Sequence, residues 1–217
     1  MKGKYIVLPI NNNSDAQKLV LHGHTGDYSV DVRLDSENPE YYSYLPVDFL
    51  GEFTSAPENS GYSVSDTLPE DTYREPLRPL FHFTAAQGWL NDPNGLIYYE
   101  GKYHMFYQHN PAGNKWANMH WGHAVSTDLM HWKELPIALY PDESGTMYSG
   151  SAVEDTENVT GLKENGHNPL ILFYTAAGNP RTQCMAYSVD GGGTFKKYPG
   201  NPIIPNICHF QGYSDKL

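Results

Sequence analysis

Seven consecutive residues, Trp89-Leu90-Asn91-Asp92-Pro93-Asn94-Gly95, set one carboxylate among an aromatic ring, two carboxamides, a proline and a glycine. An acid held on a rigid element between a flat ring and amide donors suits a sugar-cleaving nucleophile. The ring stacks on the sugar face, the amides hold hydroxyls, and the carboxylate attacks carbon. The Asn, Pro and Gly punctuation predicts a turn or the start of a strand of fixed backbone shape. Apolar, strand-like sequence follows at once in Leu96-Ile97-Tyr98-Tyr99. An Asx-type turn at a strand start accounts for the same residues without chemistry, so this stretch alone leaves both readings open.

Other residues fit the sugar-site reading. Gln108 closes Phe106-Tyr107-Gln108, a strand expected to pair with the one leaving Asp92. Its carboxamide then lies near that carboxylate and can both donate and accept, as vicinal hydroxyls require. Trp116 follows in a Gly/Asn-rich loop, where a large ring has no core to fill. Tyr148-Ser149-Gly150-Ser151 opens a later strand with a ring and small polar groups. Each of these has a structural explanation taken singly; together they repeat one layout, an aromatic with small polar residues at strand starts.

Three further groups are weighed and set aside. His120 and His123 stand i, i+3 on a strand, which puts them on opposite faces, so packing and local hydrogen bonds are expected rather than a shared metal ion. Glu154 and Asp155 read as surface or turn carboxylates. Asn158-Val159-Thr160 is a glycosylation sequon only in a glycosylating host and otherwise a loop. No metal and no cofactor are expected.

The elements that must position these residues fall into three zones. Residues 1–53 carry β-formers between turns: Tyr5–Leu8, Lys18–Leu21, Tyr28–Leu34 and Tyr41–Phe49, a small β-sandwich-like unit. Residues 54–76 are rich in Ser, Pro, Glu, Asp and Gly and read as a linker. From residue 77 onward the pattern is a β-meander. Leu96–Tyr99 and Tyr103–Gln108 flank a tight Glu100-Gly101 hairpin, and strands follow at 120–126, 132–139, 148–154, 170–176, 183–189 and 194–198. No sustained 3.6 period occurs, so the fold class is all-β. Ala124-Val125-Ser126-Thr127-Asp128 recurs as Ala186-Tyr187-Ser188-Val189-Asp190, each followed by an aromatic, Trp132 or Phe195. The second copy resembles the Asp-box turn of propeller blades, where a hydroxyl and a carboxylate cap a hairpin and the aromatic packs between blades.

Composition narrows the partner. The 217 residues carry a net charge of −11, which argues against nucleic-acid phosphates. Seventeen Tyr and four Trp suit β-sheets and sugar faces. Cys184 and Cys208 make neither a disulfide framework nor a zinc site, and two thiols or one bridge remain equally open. No apolar run is long enough to span a membrane. The apolar run at Tyr5–Ile10 is too short for a signal peptide, so either the protein is cytoplasmic or an export signal lies upstream.

Four ordered motifs carry a resemblance to glycoside hydrolase family 32, the β-fructofuranosidases. They are Phe81-His82-Phe83-Thr84 with Gly88–Gly95, Phe106-Tyr107-Gln108-His109-Asn110-Pro111, His120–Ser126, and Tyr148-Ser149-Gly150-Ser151-Ala152, within about residues 77–205. The zone with Leu8-Pro9-Ile10 and Leu45-Pro46-Val47-Asp48 resembles the small β-domain that precedes the propeller in fructan hydrolases of Bacteroidetes. Asn91 before Asp92 and the Tyr148–Ser151 motif favour fructosides over the arabinanases, another five-bladed family.

The resemblance implies that Asp92 is the nucleophile forming a covalent fructosyl-enzyme. It also implies that Asn91, Gln108, Trp116, Tyr148 and Ser149 line the fructose subsite. The implied reaction is retaining hydrolysis of levan, inulin or sucrose on a five-bladed propeller without a metal, in a periplasmic, cell-surface or secreted full-length protein. The family's acid/base Glu in a Glu-Cys motif and its Arg-Asp-Pro motif have no counterpart here. Where the latter should follow Asn201-Pro202-Ile203-Ile204-Pro205, the chain reads Phe210-Gln211-Gly212-Tyr213 and ends at Leu217. The expectation is therefore an incomplete propeller over residues 77–217, about two blades, from a truncated or frameshifted copy without turnover. A non-catalytic fructan-binding fragment or pseudoenzyme is the alternative.

Overall fold

The computed structural model describes residues 1–57, 61–164 and 166–206. Cys208 and the 210–213 stretch lie outside them. Strand-forming alternation in the first zone builds β1 (Tyr5–Ile10), β2 (Gln17–Gly23), β3 (Gly26–Val32), β4 (Tyr41–Pro46), β5 (Phe53–Ala56) and β6 (Ser63–Ser65). They form two three-stranded sheets, ordered β4-β1-β6 and β3-β2-β5. Alternate residues of both sheets, among them Ile6, Leu8, Leu19, Leu21, Val30, Leu45 and Phe53, meet in one buried core. A 3-10 turn, Asp48–Leu50, adds Leu50 to that core.

Residues 54–76 are not a free linker. Part of β5 and all of β6 fall within them, pairing with β2 and β1. Beyond β6, Tyr73 donates its hydroxyl to Glu134. Just past the stretch, Arg78 bonds Glu75, Thr84 and the carbonyls of Ala85 and Ala86. The Ser/Pro/Glu composition hid this because backbone pairing of two short strands and side-chain hydrogen bonds, not a long apolar stripe, fasten the segment.

The meander gives two four-stranded antiparallel sheets. β7 (Trp89–Tyr99), β8 (Lys102–Asn110), β9 (His120–Ser126) and β10 (Trp132–Leu139) form the first; β11 (Met147–Glu154), β12 (Leu170–Ala176), β13 (Thr182–Ser188) and β14 (Lys196–Lys197) form the second. Each first strand is at its sheet's edge, and the two edges lie side by side, as the inner strands of adjacent propeller blades do. Phe106, Trp121, Met147, Leu170, Leu172, Tyr174, Cys184 and Ala186 fill the core between blades. The expected hairpin is present: Glu100 (φ 46) and Gly101 (φ 80) both take positive φ, the type I′ signature.

Both copies of the repeated turn are built alike. Asp128 accepts from the backbone N–H of Met130 and His131, and Asp190 from those of Gly193 and Thr194. Ser126 and Ser188 hydroxyls donate to their respective Asp Oδ1. Phe195 packs against Phe106 and His123 of the first blade, and Trp132 against Phe83 on that blade's other face. Among the described residues no helix is long and apolar enough to cross a membrane.

Candidate active site

The stretch around Asp92 is strand, not turn, and its backbone shape comes from two bulges. Leu90 pairs with His109 and Pro93 with Tyr107, so Asn91 and Asp92 together oppose the single residue Gln108. Asn94 pairs with Phe106 and Ile97 with His104, which makes Gly95-Leu96 the second bulge. A bulge leaves residues unpaired and re-aims side chains, and it lets Pro93 sit inside a strand. Gly95 (φ 53) is required here: a Cβ would stand 2.8 Å from the Phe106 ring and 3.3 Å from Ala152.

Asp92 emerges from the first bulge exposed to solvent. Trp89 Nε1 donates to Asn91 Oδ1 at 3.3 Å, tying ring and carboxamide together. Asn94, which is buried, donates to the Asp92 carbonyl and accepts from Gly150 N, joining the two inner strands. The sequence offers Asn94 as one of the motif's two carboxamides but not as a link between blades, because the Gly150 N–H it accepts from lies on the other sheet.

Gln108 is 4% exposed, and its Nε2 has no hydrogen-bond partner. It pairs with Trp121 while Phe106 pairs with His123, so these four side chains share the blade face that looks toward the second blade. Trp121 Nε1 donates to the carbonyl of Tyr148 at 3.1 Å. β11 repeats the design of β7. Tyr148 pairs with Thr175 and Gly150 with Tyr174, leaving Ser149 as the bulged residue. The Trp116 ring, 57% exposed, meets the Tyr148 ring edge-on at 6.3 Å. One end of the two inner strands thus gathers Asn91, Asp92, Gln108, Tyr148 and Ser149, with Trp116 over Tyr148.

Glu154 and Asp155 stand elsewhere. Six residue steps along the strand separate Tyr148 from Glu154, about 20 Å at the usual rise. Glu154 accepts from Asn168, and Asp155 accepts from Val159 N, Thr160 N and the Thr160 hydroxyl, which holds its carboxyl below the usual range. Both are structural carboxylates.

His120 and His123 do face opposite ways. His120 Nδ1 donates to the Asn118 carbonyl, so its Nε2 accepts from Tyr28 of the N-terminal unit. His123 stacks on Phe106 at 4.3 Å and bonds His104 at 3.0 Å within the interblade core. Burial pushes both imidazoles down to about 3, so both are neutral near pH 7. Among the described residues no group of three or more His, Cys, Asp or Glu could hold a metal ion.

Comparison with known proteins bears on this arrangement. The family description "Glycosyl hydrolases family 32 N-terminal domain" matches residues 82–216. A levanase from Bacillus subtilis is 51% identical over 143 residues, covering 65% of this chain and 21% of the relative. An invertase from Schizosaccharomyces pombe is 45% identical over 162 residues, covering 70% of this chain and 28% of the relative. The crystal structure of exo-inulinase from Aspergillus awamori aligns with a TM-score of 0.58 and 42% identity, over 62% of this chain and 30% of that one. The chain therefore spans less than a third of the length of these relatives.

Proposed function

The chain belongs to glycosyl hydrolase family 32, and on that premise we propose that its two blades form the nucleophile side of a β-fructofuranoside site. Asp92 is the nucleophile that forms the covalent fructosyl intermediate of retaining hydrolysis. Asn91, Gln108, Trp116, Tyr148 and Ser149 hold the fructose unit, as the ordered motifs imply. Levan, inulin and sucrose are the substrate class, since the relatives are named levanase, invertase and exo-inulinase.

The observation that carries this reading is the buried, unpartnered Nε2 of Gln108 directly across from the Asn91-Asp92 bulge. A buried donor without an acceptor costs about 1–3 kcal/mol, and a sugar hydroxyl at that position removes the cost. The two bulges add to it by turning polar residues out of otherwise apolar strands at one end of the blades.

Retaining hydrolysis also needs a second carboxyl about 5–5.5 Å from the first, to protonate the leaving group. Glu154 and Asp155, the two candidates weighed among the described residues, do not serve, so on this reading the 217 residues tested alone bind fructosides without cleaving them. Titration of the 217-residue protein with fructose, followed by NMR, tests the site. Fructose should bind, and Gln108→Ala should weaken it about tenfold. Absence of binding, or binding indifferent to Gln108→Ala, refutes the site. Release of fructose from sucrose or levan, abolished by Asp92→Asn, refutes the lack of turnover.

A further inference from the structure

Four arginines occur in the chain, and three of them donate to oxygen atoms. Arg33 bonds the Ser14 carbonyl, Arg74 the Glu70 carbonyl, and Arg78 the Glu75 carboxylate. Arg181 is exposed and makes no hydrogen bond or ion pair with the described residues. Its guanidinium instead lies 5.5 Å from the centroid of the Tyr148 ring. The same ring is met edge-on by Trp116.

The topology explains the meeting. Tyr148 pairs with Thr175 near the end of β12, and the chain returns through the 177–181 loop into β13, where Thr182 pairs with Ala176. The loop therefore rises at the same end of the blade as Tyr148. Arg181 is rooted two strands outward from β11, about 10 Å by strand spacing, and its long side chain reaches back to the rim of the fructose site. A cation–π contact fixes the guanidinium plane while leaving its five N–H donors available.

We infer that Arg181 is a specificity-determining residue: it donates hydrogen bonds to the hydroxyls of the sugar unit next to the bound fructose, on the leaving-group side. The inference rests on the fructose site proposed above. The position suits it, since the guanidinium lies 5.5 Å from the Tyr148 ring at the rim of the residues proposed to hold fructose. The donor set suits it too, since a planar fork addresses two neighbouring oxygens at once. Arg181 thereby favours an oligosaccharide over the monosaccharide and leaves the fructose subsite itself unchanged.

The test titrates the full chain with fructose and with a β-2,6-linked fructose trisaccharide, for the wild type, Arg181→Ala, Arg181→Lys and Gln108→Ala. The wild type should bind the trisaccharide more tightly than fructose. Arg181→Ala should weaken the trisaccharide about tenfold and fructose less than about twofold, and Arg181→Lys should fall between, because an ammonium lacks the planar fork. Trisaccharide affinity within twofold of wild type in Arg181→Ala overturns the inference while the fructose site stands. An equal loss for both sugars overturns it as well, because Arg181 then acts only by propping Tyr148. Failure of the wild type to bind fructose, or no effect of Gln108→Ala on it, overturns the site reading and this inference with it.

Discussion

Acidification should loosen this protein through its buried imidazoles, His104, His109, His120 and His123, all lowered by burial, and for the last two the size of the effect follows from their environment. His120 and His123 stay neutral in the folded chain down to about 3. In the unfolded chain each binds a proton near its ordinary value of about 6.5. Between those values the unfolded state holds more protons, so stability is fully present above about 6.5 and falls as pH drops toward 3. From pH 7 to pH 5 the loss is about 2 kcal/mol per histidine, or about 4 kcal/mol together. That is a large part of the roughly 5–15 kcal/mol typical of a folded protein. Carboxylates held below their usual range, such as Asp128 and Asp190, lose their contribution only at lower pH, so pH 5 isolates the histidines. Urea unfolding followed by tryptophan fluorescence at both pH values measures the loss. In His123→Gln the cost of the substitution itself is present at both pH values and cancels. The pH-dependent loss should then shrink by about 2 kcal/mol. A variant that loses as much as the wild type between pH 7 and pH 5 refutes the assignment of His123 as buried and neutral.

Two further outcomes are expected. Gly150→Ala places a Cβ 1.8 Å from the Phe173 carbonyl oxygen; the bulge that presents Ser149 should shift and stability should drop by about 3 kcal/mol, which thermal unfolding detects and an unchanged midpoint contradicts. Glu134 accepts from Tyr107 and Tyr73 hydroxyls and from Ala86 N; Glu134→Gln should cost about 1–3 kcal/mol and speed proteolytic cleavage between residues 68 and 80, and an unaltered cleavage rate would count against Glu134 as the anchor of that segment.

What the sequence disclosed and what it withheld divide by range of interaction. The Glu100-Gly101 hairpin and the two Ser-x-Asp turns were readable because their hydrogen bonds close within a few residues. That Gln108 stands across the ladder from Asn91-Asp92 was readable because hairpin pairing fixes register. The course of β7 through Pro93 was not, since proline, asparagine and glycine read as a turn until a bulge removes the demand for a ladder bond there. The Asn94–Gly150 link and the His104–His123 pair were equally hidden, as each joins two strands. The segment 54–76 misled for a related reason: its fastening points are two short strands paired to distant ones and scattered polar contacts rather than a hydrophobic period.

Every residue of β9 is buried. One face of its blade lies against the second blade through Trp121 and His123, and the other against the N-terminal unit and the residue 73–85 strap through His120, Gly122 and Ala124. A strand packed on both faces in this way should be among the last parts of the blade to exchange its amide hydrogens.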